Sequence, residues 1–396
     1  MKDRTRVVHH PTVSQDGFRS LTVPTFRAST IVFEDAEAYA TRRARGPDGY
    51  TYGLNGTPTT RTLEAQLSML ECAERTLLAP SGQCAIAVIF LTVLEPGDKV
   101  LIPDSVYPPV SEFCANYLKK RGIEHERYDP LIGPGISELF DARTKLVWME
   151  SPGSATMEFQ DVRAIVTAAR AQGILTGCDN TWATPLLFKP IVHGVDFSME
   201  ALTKYVGGHS DLLLGSVSVA DVALHRKLKE TMRLMGIGVS PDDCQLALRG
   251  LETLGVRLAH VGTVAADFAR RIDGKAGVER VLHPVLPTCP GREFWERDFG
   301  GASGAFSIVL KPQASSVLDH ALSRLEVFAI GASWGGTRSL LAPMSVKAER
   351  LVTPWTHDGM ILRLSIGLED PIDLWEDLER FFAALAAESE CVTSAG

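Results

Sequence analysis

Lys204 and an acid upstream of it, Asp179, are the residues of this chain whose types could carry chemistry together. Lys204 lies in the segment 201–211, and Asp179 closes an apolar, strand-like stretch, 174–178. A neutral ε-amine can form a Schiff base with an aldehyde, and a carboxylate can hold a pyridine nitrogen protonated so that the ring accepts electrons. This pair is what a pyridoxal phosphate (PLP) site needs, and it predicts a cofactor-dependent enzyme.

Both residues also have an ordinary interpretation. Most lysines are solvated surface residues, but Lys204 has uncharged neighbours at 201–202 and 205–208, where desolvation would lower its pKa and favour the neutral amine. A lone aspartate commonly caps a turn. Asp179, however, follows a predicted parallel strand, and ligands of open α/β sheets bind at that end of the strands.

The segment 80–83 predicts a phosphate-binding turn. It follows a strand-like run and opens a predicted helix over 84–94, which places free backbone N–H groups and the positive end of the helix dipole at Gly82 and Gln83. The alternative is a plain strand-to-helix turn capped by Ser81. No G-x-G-x-x-G follows a strand, which argues against a dinucleotide site.

Two further residues suit a small-molecule site. Arg363 is a lone cation in the apolar stretch 360–366; it could clamp a carboxylate in a bidentate manner or point to solvent from a half-exposed strand. Tyr107 follows a strand and precedes two prolines, so its ring could lie against a planar cofactor or pack in the turn. The spacing of these residues does not decide between the two interpretations of Arg363 or between the two interpretations of Tyr107.

The order of elements predicts an α/β fold. Short apolar runs alternate with helix-length segments from residue 77 onward, which is typical of a mostly parallel sheet. Longer helical stretches and isolated strands after residue 250 predict a smaller α+β domain. We therefore expect an N-terminal arm (1–56), a large domain (57–248) and a small domain (249–396). Apolar positions 63, 67 and 70 predict a helix over 62–71, capped by Thr60 or Thr62.

Composition narrows the class of protein. The chain has 396 residues, 45% of them hydrophobic and 22% charged, with a net charge of −8. Such a chain can bury a large core, and its acidity argues against nucleic-acid or anionic-membrane partners. The N-terminus lacks a signal-peptide pattern and no run is long enough to span a bilayer. A cytoplasmic enzyme acting on small molecules is expected.

No metal site is expected. The seven cysteines are dispersed without C-x-x-C spacing, which fits reduced thiols better than metal ligands or a disulfide framework. His9 and His10 are adjacent near the terminus, where an exposed pair is a commoner outcome than a ligand pair.

Five ordered motifs, at 150–158, 179–183, 203–211, 332–336 and 363–370, carry a resemblance that spans nearly the whole chain. They resemble the Cys/Met-metabolism family of PLP enzymes, of fold type I. The resemblance implies a large domain with a mostly parallel sheet, a smaller C-terminal domain, PLP as cofactor and a homotetramer built from two dimers.

The resemblance also implies roles for individual residues. Lys204 matches the Schiff-base lysine, Asp179 the partner of the pyridine nitrogen, and Tyr107 a ring that stacks on the cofactor. Phosphate-binding positions are matched by Gly82, Gln83 and Thr203, and by Tyr52, which relatives donate to the neighbouring subunit. Arg363 matches the clamp for the substrate α-carboxylate, and Ser333 and Trp334 line the substrate side.

Among the activities of this family, the sequence favours β-elimination. Ser154-Ala155 and Ser333-Trp334 stand where many γ-acting relatives have Asn-Pro and Ser-Leu. This implies cleavage of L-cystathionine to homocysteine, pyruvate and ammonia, started by Lys204 removing the α-proton. Either Tyr107 or Lys204 would protonate the leaving sulfur. Another S-substituted cysteine as substrate, a γ-lyase or γ-replacing transferase, and a non-enzymatic binding protein are the alternatives.

Three positions depart from the family pattern. Leu54 stands where relatives often place an arginine that binds the neighbouring phosphate, and Ala201 stands where a serine is frequent. Arg338 follows the 332–336 motif where a glutamate is common. These departures put the anchoring of the phosphate and the side chain accepted by the distal pocket in doubt.

Overall fold

The protein is described from a computed structural model, which covers residues 2–6, 14–46 and 48–394. His9 and His10, for which solvent exposure was predicted, lie outside the described residues. In the described part of the chain, the strands form two sheets, one within 75–219 and the other within 278–365.

The larger sheet has the order β1-β7-β6-β5-β4-β2-β3. Its strands are β1 (Arg75–Ala79), β2 (Lys99–Pro103), β3 (Glu124–Tyr128), β4 (Thr144–Glu150), β5 (Leu175–Asp179), β6 (Phe197–Glu200) and β7 (Gly215–Val219). Strands β2 to β6 pair in parallel, and only β7 runs antiparallel to its neighbours. This is the mostly parallel sheet that the alternating pattern predicts.

The smaller sheet has the order β10-β11-β12-β9-β8. Its strands are β8 (Val278–Leu282), β9 (Ala305–Leu310), β10 (Ala329–Ile330), β11 (Leu340–Met344) and β12 (Ile361–Ser365). Pairing is antiparallel except between β10 and β11. Strand β12 is central, so the backbone of Arg363 is held between Ala342 and Ser307 of the two neighbouring strands.

Helices cover both faces of the larger sheet. The helices of the chain are α1 (Asp3–Arg6), α2 (Ala36–Ala40), α3 (Pro58–Glu71), α4 (Gly82–Val93), α5 (Pro108–Phe113), α6 (Val162–Ala171), α7 (Thr184–Leu187), α8 (Val222–Met235), α9 (Pro241–Ile272), α10 (Arg292–Asp298), α11 (Pro312–Ser315), α12 (Leu318–Leu322) and α13 (Pro371–Ser394). Along β4, Leu146 and Trp148 pack into the core beneath α4, whereas Val147 and Met149 pack into the core beneath α6. Burial on both faces explains why the middle of this strand, 146–149, is apolar.

Helix α3 begins earlier than the periodicity of 62–71 predicts. It starts at Pro58, and the Thr57 side chain accepts a hydrogen bond from the backbone N–H of Thr60 while the Thr60 side chain accepts one from the N–H of Thr57. Proline suits the first helical position because that residue needs no N–H donor. The prediction of Thr60 or Thr62 as the cap was therefore wrong by one turn, since the reciprocal capping box sets the start.

The α/β fold class is confirmed. The three-part division at 56/57 and 248/249 stays a prediction, and residue 248 lies inside the continuous helix α9. The segment preceding α3 contacts the body through Arg27, which pairs with Asp242 at 2.5 Å, and through the N–H of Phe26, which donates to Thr59. Within the described residues, no helix is both long and apolar enough to cross a membrane.

Candidate active site

A cleft of about 250 Å³ lies where the carboxyl ends of the larger sheet's strands meet the loop before β11 and strand β12. Eight predicted site residues line it: Gly82, Gln83, Tyr107, Asp179, Thr203, Lys204, Trp334 and Arg363. They come from parts of the chain up to 281 residues apart, counted from position 82 to position 363. The cleft thus brings together groups that the sequence only suggested separately.

Lys204 lies in the turn that follows β6. Its Nζ donates a hydrogen bond to Ser333 Oγ at 2.8 Å and lies 5.5 Å from the centre of the Trp334 ring. Burial, and secondly the positive charge of Arg363, lower the pKa of Lys204 to about 8, although Asp179 opposes this shift. A substantial fraction of this amine is therefore neutral near neutral pH, as a nucleophile or base requires.

The pKa of Lys204 has a direct test. In cofactor-free protein, acylation of Lys204 by a small reagent should accelerate as the pH rises towards about 8, because only the neutral amine attacks. In Arg363→Met protein the midpoint should move to higher pH, because the ammonium form no longer faces that positive charge. Peptide mass spectrometry measures the rate at each pH. Equal midpoints in the two proteins would contradict the influence of Arg363.

Asp179 is the last residue of β5 and opens onto the cleft. Its Oδ1 accepts a hydrogen bond from the backbone N–H of Thr181 at 2.9 Å. Burial raises the pKa of Asp179, while Thr181 and Lys204 act in the opposite direction. A cation beside this carboxyl would favour its ionised form, so a protonated ring nitrogen is a suitable partner.

The first turn of α4 fits a phosphate group. Ser81 caps the helix by accepting the N–H of Cys84, while the N–H groups of Gly82 and Gln83 donate no hydrogen bond within the described part of the chain. A Cβ on Gly82 would lie 2.7 Å from the Cβ of Ala201, so only glycine allows the helix to approach residue 201 this closely. The Ser81 cap and the phosphate-binding turn were alternative predictions, but they are compatible. The cap uses the N–H of Cys84 and leaves the N–H groups of Gly82 and Gln83 available for a phosphate.

Thr203 lies beside this turn, but its hydroxyl already has backbone partners. Thr203 Oγ1 donates to the carbonyl of Leu214 at 3.1 Å and accepts from the Leu214 N–H at 3.0 Å. The role of Thr203 as a phosphate ligand stays a prediction. To bind a phosphate, the Thr203 hydroxyl would have to share its proton between the phosphate and the Leu214 carbonyl, or give up its bond to that carbonyl.

The opposite side of the cleft comes from the smaller sheet. Arg363 projects from β12, and its Nη2 donates to the carbonyl of Ala332. Burial lowers the pKa of Arg363, but the guanidinium remains charged at any physiological pH. The Trp334 ring packs at 5.3 Å from the Tyr205 ring, so it forms an apolar wall next to a cation. A substrate with a carboxylate and an apolar stem suits this side.

Tyr52, Leu54 and Arg338 lie outside the cleft, and Ser333, which was predicted to line the substrate side, contacts Lys204 but is not among the lining residues. Tyr52 is half exposed and lines a separate surface groove with Arg43 and Arg233, so within one protomer it cannot serve that protomer's cleft. Leu54 packs against Gly238, where a Cβ would lie 2.5 Å from the leucine. Arg338 is exposed and does not line the cleft.

Sequence reasoning missed several lining residues. Glu150, Ser154, Thr181, Trp182 and Met199 all line the cleft. Glu150 is the last residue of β4, as Asp179 is the last residue of β5. Because ligands of open α/β sheets bind at the carboxyl ends of parallel strands, Glu150 could have been predicted from the sequence. No cluster of three or more potential metal ligands occurs within the part of the chain that the structure describes.

Comparisons with known proteins agree with this geometry. Residues 4–383 match the family described as Cys/Met metabolism PLP-dependent enzyme. A putative cystathionine beta-lyase of Rhizobium johnstonii is 45% identical over 97% of this chain and 96% of its own length. Cystathionine beta-lyase MetC of Escherichia coli is 40% identical over 91% of this chain and 92% of its own length.

A solved structure is similar over the same extent. Cystathionine gamma synthase from Xanthomonas oryzae pv. oryzae, in complex with cystathionine, has a TM-score of 0.86 at 30% identity. The similarity covers 94% of this chain and 95% of that one. The fold is therefore shared with a cystathionine gamma synthase.

Proposed function

Because the chain belongs to the Cys/Met metabolism family of PLP-dependent enzymes, we propose that its cleft catalyses the α,β-elimination of L-cystathionine to homocysteine, pyruvate and ammonia. The enzyme is a PLP-dependent carbon–sulfur lyase. The observation that carries the proposal is the convergence of Lys204, Asp179 and Arg363 on one cleft. These are the base, the ring partner and the carboxylate clamp that the reaction needs.

The cleft has a place for each part of the cofactor. The N–H groups of Gly82 and Gln83 would hold the phosphate, Asp179 the ring nitrogen and Lys204 the aldehyde carbon. Bound PLP supplies an electron-accepting ring that stabilises negative charge at the substrate α-carbon. The aromatic ring of Tyr107, which is 43% exposed and lines the cleft, offers a flat surface for stacking.

Residues of the chain orient the substrate and transfer the protons. Arg363 binds the substrate α-carboxylate and so limits which α-substituent faces Lys204. Lys204, whose neutral amine is oriented by the bond to Ser333, removes the α-proton and holds it at Nζ as an ammonium. That ammonium can return a proton to the departing sulfur.

Tyr107 is the second candidate donor to sulfur. Burial raises the pKa of Tyr107, so its phenol is protonated at neutral pH. Both donors thus carry a proton when the thiolate leaves, and the choice between Tyr107 and Lys204 stays open.

A product assay tests the proposed reaction. Purified holoenzyme is incubated in parallel with L-cystathionine, L-cystine and L-methionine, and pyruvate, 2-oxobutyrate and thiols are quantified. We expect pyruvate and homocysteine from cystathionine. Turnover only of cystine or another S-substituted cysteine would assign a different C–S lyase substrate. Production of 2-oxobutyrate would assign γ-chemistry, which the similarity to a gamma synthase keeps as the second candidate.

We also propose a homotetramer of two dimers with shared sites, located in the cytoplasm. Support comes from Tyr52, which lies away from its own cleft, and from the exposed apolar side chains of Phe18, Leu21 and Val32 in the N-terminal segment. Exposed apolar groups of this size favour a protein contact. In that arrangement Tyr52 would reach the cleft of the neighbouring subunit.

A further inference from the structure

Glu150 is a cleft residue to which the proposed reaction assigns no role. It is the last residue of β4, and its register partner on the neighbouring parallel strand is Asp179, the last residue of β5. Register partners in a parallel sheet project to the same face. Two carboxyl groups therefore lie side by side at the edge of the sheet, and both line the cleft.

One oxygen of Glu150 holds the backbone of Tyr107. Glu150 Oε2 accepts the Tyr107 N–H at 2.7 Å. Tyr107 stands at the N-cap of α5 without a side-chain cap, and the helix opens with Pro108 and Pro109, which have no N–H to donate. The bond to Glu150 therefore restrains the residue immediately before this helix, and with it the direction of the Tyr107 ring.

The surroundings of Glu150 favour its neutral form. Burial, and next the carboxylate of Asp179, raise the pKa of Glu150 well above its ordinary value, while the Tyr107 N–H and Arg363 oppose that shift. The charged or titratable groups around it are Asp179, Glu158, Arg363, Tyr107, Tyr128 and Cys178. Glu158 is itself paired with Arg350 at 2.8 Å. When two carboxyl groups lie side by side in a partly buried cleft, one of them keeps its proton to a higher pH than it would alone.

We propose that Glu150 is a positioning residue that acts as a neutral carboxylic acid: its carbonyl oxygen anchors the Tyr107 N–H, and its proton leaves Asp179 as the single negative charge of the pair. The inference rests on the proposed place of Tyr107 beside the cofactor. It goes beyond that proposal in two ways. It names the group that orients the Tyr107 ring, and it explains why a single negative charge, that of Asp179, would lie next to the pyridine nitrogen of the cofactor.

Two substitutions of Glu150 distinguish its hydrogen bond to the Tyr107 N–H from the effect of its charge. Glu150→Gln keeps an oxygen that accepts the Tyr107 N–H and is neutral at every pH, whereas Glu150→Ala removes the acceptor. In holoenzyme we expect Glu150→Ala to lose most of the visible circular dichroism of the bound cofactor and to lower kcat by about tenfold, with KM changed less than about threefold. Glu150→Gln should restore the dichroism and recover most of the lost kcat. Glu138→Ala, which removes an exposed carboxyl outside the cleft, should resemble wild type.

Protonation is measured without turnover. The infrared spectrum of wild-type holoenzyme at neutral pH should contain a protonated carboxyl C=O band that is absent from Glu150→Gln. As the pH is raised, the visible dichroism of wild type should contain a step that corresponds to Glu150 losing its proton beside Asp179, and that step should be missing from Glu150→Gln. These readouts need no substrate, so they remain valid if the natural substrate is not cystathionine.

Three results would overturn the inference. If the visible dichroism of Glu150→Ala equals that of wild type, Glu150 does not anchor Tyr107. Equal damage in Glu150→Gln and Glu150→Ala would show that the charge of Glu150 is required, and the absence of the infrared band would show that it is ionised. If Glu150→Ala does not fold, the comparison of wild type with Glu150→Gln by infrared and by pH titration still decides between the neutral and the ionised form.

Discussion

Lys204→Ala is expected to lower kcat by about a thousandfold or more, because the proposed mechanism uses the same amine to bind the cofactor, to remove the α-proton and, as one of two candidate donors, to protonate the sulfur. Among the residues that the structure describes, Lys204 is the one lysine that lines the cleft. The phosphate turn at Gly82 and the carboxyl of Asp179 are unchanged in this variant, so PLP should still bind non-covalently. Steady-state assays with saturating PLP give kcat, and the visible absorbance of the dialysed protein shows whether the cofactor is retained.

Lys229 offers a matched control for Lys204. It is also a lysine whose pKa is lowered to about 8, chiefly by burial, but it lies on α8 outside the cleft. Lys229→Ala tests what the loss of a buried lysine does in general. Turnover of Lys204→Ala at the level of Lys229→Ala would refute the assignment of Lys204, whereas a large gap between the two variants supports it.

Arg363→Ala is expected to lower kcat/KM by about a hundredfold, with KM for amino-acid substrates rising at least about tenfold. A charge-assisted hydrogen bond contributes roughly 1.5–3 kcal/mol, and a guanidinium can make two to one carboxylate. The backbone of β12 is held by β9 and β11 on both sides, so removing the side chain should leave the sheet intact. Kinetics with L-cystathionine and with its decarboxylated analogue measure the effect.

The decarboxylated analogue makes the test of Arg363 specific. The analogue lacks the α-carboxylate of the cysteine half. Wild type should prefer the intact amino acid strongly, and Arg363→Ala should lose most of that preference, because the carboxylate that Arg363 is proposed to clamp is missing from the analogue. Arg363→Lys keeps the charge without the planar fork and should recover only part of the preference. An unchanged KM for cystathionine in Arg363→Ala would mean that another group holds the carboxylate.

Much of the fold was predictable because its elements follow local patterns. Strands β2 and β4 contain apolar runs because both of their faces are buried, as Leu146 and Val147 illustrate on β4, and such runs are visible in a sequence. The start of α3 was misjudged because the apolar period begins only at Leu63, whereas the helix begins one turn earlier, at a capping box between Thr57 and Thr60. Caps depend on single polar side chains, which periodicity does not detect.

The chemistry that is available to this protein follows from its residue types: a lysine in an uncharged segment, an acid at the end of a strand and a glycine turn before a helix. Residue types and spacing carry this information because the chemistry of a side chain belongs to the residue. Only the tertiary structure shows that Ser333 contacts Lys204 and that Glu150 contacts the backbone of Tyr107.

Ser333 meets Lys204 across 129 positions of the chain, and Glu150 meets the N–H of Tyr107 across 43. Such contacts depend on how two sheets pack and on which strands are neighbours in register, and both are properties of the whole folded chain. For the same reason only the fold shows that Arg363 and Asp179 act in opposite directions on the pKa of Lys204. Electrostatic effects depend on distance and burial in three dimensions, and neither can be read along the sequence.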